Sequence, residues 1–107
     1  METLLVLTTL PDTASAGRIA EMLVGERLAA CVNILPPARS VYRWLGVVEQ
    51  AEETPLLIKT TAARYPALES RLRQEHPYEL PEILAVPIAH GLPAYLGWVD
   101  AETLVMP

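Results

Sequence analysis

Several features that mark common protein classes are missing from this sequence. One cysteine, Cys31, rules out an intrachain disulfide and any CxxC metal or redox site. No apolar run reaches the roughly 18 residues that a membrane-spanning helix needs, so no membrane association is expected. The N-terminal residues Met1 to Leu4 lack the basic start of a secretory signal peptide. These absences predict a cytoplasmic protein.

Positive charge is also scarce. Eight Lys and Arg residues stand against 13 Asp and Glu, which gives a formal net charge of −5. Nucleic-acid binding relies on clustered cations. The tightest pairing, Arg71 with Arg73, falls on different faces of a predicted helix, because residues two apart do not face each other. We therefore expect no nucleic-acid partner.

The motifs of the common catalytic sites are absent. The sequence has no Walker loop and no GxGxxG, GxSxG or HExxH pattern. Its three serines, Ser15, Ser40 and Ser70, have no histidine near them in sequence to activate them. The sequence therefore predicts a protein that is not an enzyme.

Apolar residues are abundant for a short chain. The 107 residues suit one domain, residues 1–107, and 51% of them are apolar, with a mean hydropathy of +0.26. A chain of this size has a modest core. A well-filled core is one explanation of this content; the explanation that we favour is that some apolar surface is buried between subunits.

Hydrophobic periodicity predicts alternating strands and helices. Strands are predicted at residues 3–9, 30–35, 40–50, 56–61 and 83–89, and helices from Asp12 or Thr13 to about Leu28, at 64–75 and after Gly91. Residues 49–55 are predicted to form a charged turn. In the third strand, Tyr42, Trp44 and Val48 are expected on one face and Val47 on the other. Pro87 indicates that the last strand lies at an edge or contains a bulge.

The order of these elements is typical of a split βαβ arrangement. We expect a mixed sheet with both main helices on one face. The middle strands are long, and a long hairpin that projects beyond a small sheet leaves unpaired edges. A partner subunit is one way to cover them.

The most unusual segment is His76-Pro77-Tyr78-Glu79-Leu80-Pro81-Glu82, preceded by Glu75. Its prolines hold an imidazole and several carboxylates in a stiff connection. Two interpretations stay open: a metal site or acid/base pair, and a rigid helix-to-strand connection in which the histidine caps the helix.

The other reactive or aromatic side chains favour structural roles. Cys31 lies among small apolar residues, which predicts a buried and unreactive thiol. His90 precedes Gly91 at a turn and is expected to be solvated. Tyr42 and Trp44 are suited to stack on a ligand, but cross-strand packing or a subunit interface is the more common role of such a pair.

Taken together, short motifs spread from about residue 4 to residue 99 resemble the CutA divalent-cation tolerance family. The motifs are Thr8-Thr9 with Pro11-Asp12, residues 28–34 followed by Pro36, residues 40–44 with Gly46 and Glu49, residues 58–60, residues 76–78 with 81–83, and Tyr95-Leu96 with Trp98. No single motif is specific to this family, but the order of all the motifs over nearly the whole chain is highly specific to it.

The resemblance implies an α+β, ferredoxin-like βαββαβ sandwich with long central hairpin strands and an extra C-terminal helix. It also implies a cytoplasmic homotrimer linked to divalent metal tolerance, with weak binding of copper(II) or another divalent cation and no metal required for folding. The implied metal ligands are His76, Glu75 and Thr8. A copper-binding member has a cysteine where this chain has Thr8 and a second histidine where it has Glu75, so the oxygen donors here favour copper less.

Two further functions remain open beside metal tolerance. One is a small-ligand signalling module like the PII proteins, which share this fold class; the acidic segment 49–55 argues against a phosphate-binding loop there. The other is a structural trimeric scaffold without catalysis.

Overall fold

A computed structural model of the chain describes residues 2–105. Strands and helices alternate along it, as the periodicity predicts. In chain order they are strand β1 (Thr3–Leu10), helix α1 (Thr13–Gly25), strands β2 (Cys31–Ile34), β3 (Ala38–Trp44) and β4 (Val47–Thr61), helix α2 (Tyr65–Glu75), strand β5 (Leu84–Pro87) and helix α3 (Pro93–Glu102).

The strands form a five-stranded sheet with the neighbour order β2-β4-β1-β5. Strand β3 pairs with the first half of β4, and β2 pairs with the second half. With α1 and α2 as crossovers, this is the ferredoxin-like fold. The expectation of a mixed sheet is wrong. An antiparallel strand separates the two parallel strands of each βαβ unit, so every pairing within residues 2–105 is antiparallel. Strand β5, which carries Pro87, lies at an edge of the sheet, as predicted.

Both main helices cover one face of the sheet and enclose the core. Helix α1 begins where the Asp12 carboxylate accepts the Ser15 backbone N–H at 2.7 Å, a standard N-cap contact. Side chains of α1 and α2 then pack on alternate residues of β1 and β4. The fully buried members of this core include Val6, Leu10, Ile19, Leu23, Leu56, Ile58, Leu68 and Leu72.

The opposite side of the sheet carries apolar side chains as well. Residues of a strand alternate between faces, so Leu5 and Leu7 point away from the buried Val6. Their ladder partners lie beside them on the same side. Lys59, a partner of Leu5, is among them; we call the apolar part of this surface the open face, and it consists of Leu5, Leu7, Leu57, Leu84 and Val86. Leu84 and Val86 are 54% and 46% exposed.

A long hairpin of β3 and β4 projects from the sheet. Its turn consists of Leu45 and Gly46, and Trp44 pairs with Val47 across it. The prediction of one strand over residues 40–50 is therefore wrong, because the chain reverses in the middle of it. The prediction of a charged turn at 49–55 is also wrong, since those residues continue β4. The reversal places Val47, not Val48, on the same face as Trp44.

Helix α3 returns along the sheet and contacts β1 and β4. It is anchored by the buried Val99 and by Thr103, whose hydroxyl donates to the Val99 carbonyl at 2.8 Å. Arg27 donates to the Glu102 carbonyl at 3.3 Å, which ties the end of α3 to the turn after α1. Of the helices between residues 2 and 105, none combines the length and the apolar character needed to cross a bilayer.

Candidate functional site

His76 lies where α2 ends, and its ring links the helix to the sheet. The backbone N–H of His76 donates to the Leu72 carbonyl at 2.9 Å, and the next residue, Pro77, cannot continue the helix. The imidazole points inward and is only 7% exposed. Its Nε2 lies 2.8 Å from the carbonyl oxygen of Thr9 at the end of β1.

The partners of His76 define its protonation. A backbone carbonyl only accepts, so Nε2 carries the proton that it donates to Thr9. The Tyr78 backbone N–H donates to Nδ1 at 3.1 Å, so Nδ1 provides the lone pair. Burial lowers the pKa of His76, and the contact with Thr9 and the charge of Glu53 offset that only in part. The ring is therefore neutral near pH 7, with both nitrogens occupied.

Tyr78 extends this network to the hairpin. Its ring lies against His76, with centroids 4.9 Å apart. The Tyr78 hydroxyl donates to the Glu53 carboxylate at 2.8 Å, and the same oxygen accepts the Thr9 hydroxyl at 3.2 Å. Burial, the hydrogen bond to Glu53 and the charge of Glu53 raise the pKa of the Tyr78 phenol. The phenol therefore stays protonated and acts as a hydrogen-bond donor.

The three residues implied as metal ligands have different surroundings. Glu75 is exposed and forms an ion pair with Arg71 one turn earlier at 3.3 Å. Thr8 is 1% exposed on the helix-covered face, and its hydroxyl has no hydrogen-bond partner among residues 2–105. Within residues 2–105 no group of three His, Cys, Asp or Glu side chains is arranged to hold a metal ion. What the fold gathers is His76, Tyr78, Thr9 and Glu53.

The prediction that Cys31 is buried is wrong. The first residue of β2 pairs with Lys59, and its side chain is partly exposed. The Lys59 amine lies 3.9 Å from the sulfur and also donates to Asn33. Sequence gave no indication of this cation, because Lys59 is 28 residues away. His90 is exposed, as predicted.

Glu53 is the member of the network that sequence reasoning missed. The acidic segment around it resembled a turn, so the carboxylate was not placed beside Tyr78. One signal was present: a reversal at Gly46 would have extended the next strand through Glu53 to the end of β1.

Nearly the whole chain matches a single protein family. Residues 4–102 match the family model described as the CutA1 divalent ion tolerance protein. A curated relative, the divalent-cation tolerance protein CutA of Thermus thermophilus, is 50% identical over 98 residues, which cover 92% of this chain and 95% of the relative.

Solved structures with the same fold agree with that match. The divalent cation tolerance protein Cut A1 of Thermus thermophilus superposes with a TM-score of 0.93 at 48% identity, covering 94% of this chain and 98% of that one. A protein from Archaeoglobus fulgidus, named as a periplasmic divalent cation tolerance protein, gives 0.92 at 34% identity, covering 95% and 99%.

Proposed function

The chain belongs to the CutA1 divalent ion tolerance protein family, and from this premise we propose that it acts in divalent cation tolerance as a homotrimer that binds Cu(II) weakly. We further propose that it works in the cytoplasm and catalyses no reaction. The relatives' names support a relation to divalent cations. The trimer, the copper and the compartment are our proposals.

The open face is the observation that carries the trimer proposal. Leu5, Leu7 and Leu57 are partly exposed, and Leu84 and Val86 are about half exposed. Monomers rarely leave a contiguous apolar surface of this kind in water. Two more copies of the chain would remove it from solvent and supply the core that a small domain lacks.

The projecting hairpin supports the same proposal. β1 ends at Leu10, which pairs with Thr54, so within the described residues the first part of β4 pairs with β3 alone. An unpaired edge of this length invites another strand. The tip is apolar as well: Leu45 is 87% exposed and Val48 is 60% exposed.

For the metal, we propose His76 as the first ligand, with Glu75 as an auxiliary oxygen donor and Thr8 as the weakest candidate. Copper at Nδ1 would displace the Tyr78 N–H, and such a hydrogen bond contributes about 1 kcal/mol. Glu75 would leave Arg71, and the Thr8 hydroxyl is reached only if the local structure opens. These costs support weak binding.

Thermal melting with and without Cu(II) tests the metal proposal. A ligand at a hundred times its dissociation constant stabilises the native state by about 2.7 kcal/mol, so a specific site raises Tm detectably. We expect this rise in the parent and in His90→Ala, and its loss in His76→Ala. Comparing each variant with itself removes the effect of the substitution on stability. Glu75→His should increase the rise, because imidazole suits Cu(II) better than carboxylate.

The proposal fails for His76 if His76→Ala responds to copper as the parent does. Sedimentation equilibrium at micromolar protein tests the trimer separately, and a monomer would contradict it. Cell fractionation tests the compartment.

A further inference from the structure

A groove lies between the hairpin and the loop that follows α2. Its volume is about 1000 Å³, large enough for a small organic molecule. One wall is the face of β3 and β4 that carries Tyr42, Trp44 and Glu49, and the other is the segment 77–82. The contact of Tyr78 with Glu53 joins the two walls at the base.

Three aromatic rings line this groove. Tyr42 and Trp44 are 40% and 39% exposed in the single chain. Tyr78 is half-buried, with its hydroxyl directed to Glu53. Aromatic faces carry negative potential, and several of them around one space attract alkylated cations.

The charged groups of the groove point to the same class of ligand. Four carboxylates line it, those of Glu49, Glu53, Glu79 and Glu82, against a single guanidinium among the described lining residues, that of Arg43. Arg43 lies on the opposite strand face from Tyr42 and Trp44 and donates to the Gly46 carbonyl at 3.4 Å. Tyr42 lies directly opposite Glu49 in the ladder. Partial burial is the main cause that raises the pKa of the Tyr42 phenol, and the carboxylates of Glu49 and Glu53 raise it further.

From this combination of rings and carboxylates we propose that the groove binds an organic ammonium ion. A phosphate-bearing ligand is disfavoured by the carboxylates. A compact divalent ion needs converging ligands, and no three acidic or histidine side chains within residues 2–105 converge in that way. An alkylated ammonium ion is not repelled by carboxylates and does not need converging ligands, since its charge is diffuse and its carbon groups contact the rings.

Tetramethylammonium is the probe for the test, and tert-butanol is its uncharged counterpart of similar size. In a Trp98→Phe background the fluorescence reports Trp44 alone. We expect tetramethylammonium to change that fluorescence saturably, with no change from tert-butanol or from sodium chloride at the same ionic strength. Saturation-transfer NMR on the methyl signal then gives the relative affinity of each variant.

Matched variants separate the groove from the rest of the surface. Trp44→Leu should weaken binding about tenfold, whereas Trp98→Leu, which alters an equally exposed ring of the Tyr95–Trp98 pair, should not. Glu49→Gln should also weaken binding, whereas Glu52→Gln, on the opposite face of β4 from the groove, should leave it unchanged.

Two outcomes would overturn the proposal. One is equal responses to tetramethylammonium and tert-butanol, or equal effects of the groove and control variants. The other is a Trp44 shielded from iodide quenching and unaffected by the probe, which would mean that a second copy of the chain fills the groove. Neither result bears on copper binding, which is measured with a different ion and a different variant.

Discussion

The ring of His76 fixes the end of β1 to the loop after α2 through two hydrogen bonds of opposite sense. Nε2–H donates to Thr9, and Nδ1 accepts from Tyr78. A second proton at Nδ1 would remove the acceptor and place a charge in a buried position. Burial accordingly lowers the pKa of His76 below its unfolded value of about 6.5. Between the two pKa values the unfolded chain binds the proton more tightly than the folded protein does.

This difference predicts how stability varies with pH. The contribution of His76 is complete above the unfolded pKa and is lost as the pH falls through the lower folded pKa. We expect Tm to fall between pH 7.5 and 5.5, and to fall less in His76→Ala. His90→Ala, which alters an exposed ring, should keep the slope of the parent. Differential scanning calorimetry across this pH range measures Tm. Parallel slopes of Tm against pH in the parent and in His76→Ala would show that His76 does not cause the pH dependence.

At the scale of elements, local sequence patterns predicted several strands and helices well, but they did not predict the turn between β3 and β4. β1, α1 and α2 were predicted because a continuous apolar run or a helical stripe with a cap is complete within each segment. The β3–β4 hairpin was missed because Leu45-Gly46 is not the usual Asn-Gly or Asp-Gly pair. The position of Glu53 was missed for the same reason. The contact of Lys59 with Cys31 was missed because it arises from strand pairing, which no local pattern reveals.

The same turn supports a prediction about stability. Leu45 and Gly46 have φ values of 50° and 82°, as a two-residue turn of this kind requires. Leucine is strained there, whereas asparagine tolerates that conformation. Because Leu45 is 87% exposed, Leu45→Asn should stabilise the protein by about 1 kcal/mol in urea unfolding. Gly46→Ala should destabilise it, and a loss of stability in Leu45→Asn would show that the leucine side chain makes a stabilising contact.

At the scale of the whole molecule, the chain exposes more surface than its mass requires. Its principal extents are 45 × 28 × 23 Å because the hairpin projects. Its accessible surface is 6640 Å², whereas a compact monomer of this mass has about 5900 Å². The excess and the open face together favour assembly, and assembled subunits unfold in a way that depends on protein concentration.

A matched pair of charge substitutions tests the proposal that the subunits associate through the open face. Val86 on the open face is 46% exposed, and Val24 on the outer side of α1 is 42% exposed. A glutamate at an interface position would bury a carboxylate without a partner, which costs several kcal/mol. Val86→Glu should therefore sediment as a monomer and lose the rise of Tm with protein concentration. Val24→Glu should sediment as the parent does, with stability within about 0.5 kcal/mol of the parent, as is usual for surface substitutions. If the two variants sediment alike, the open face is not the surface through which the subunits associate.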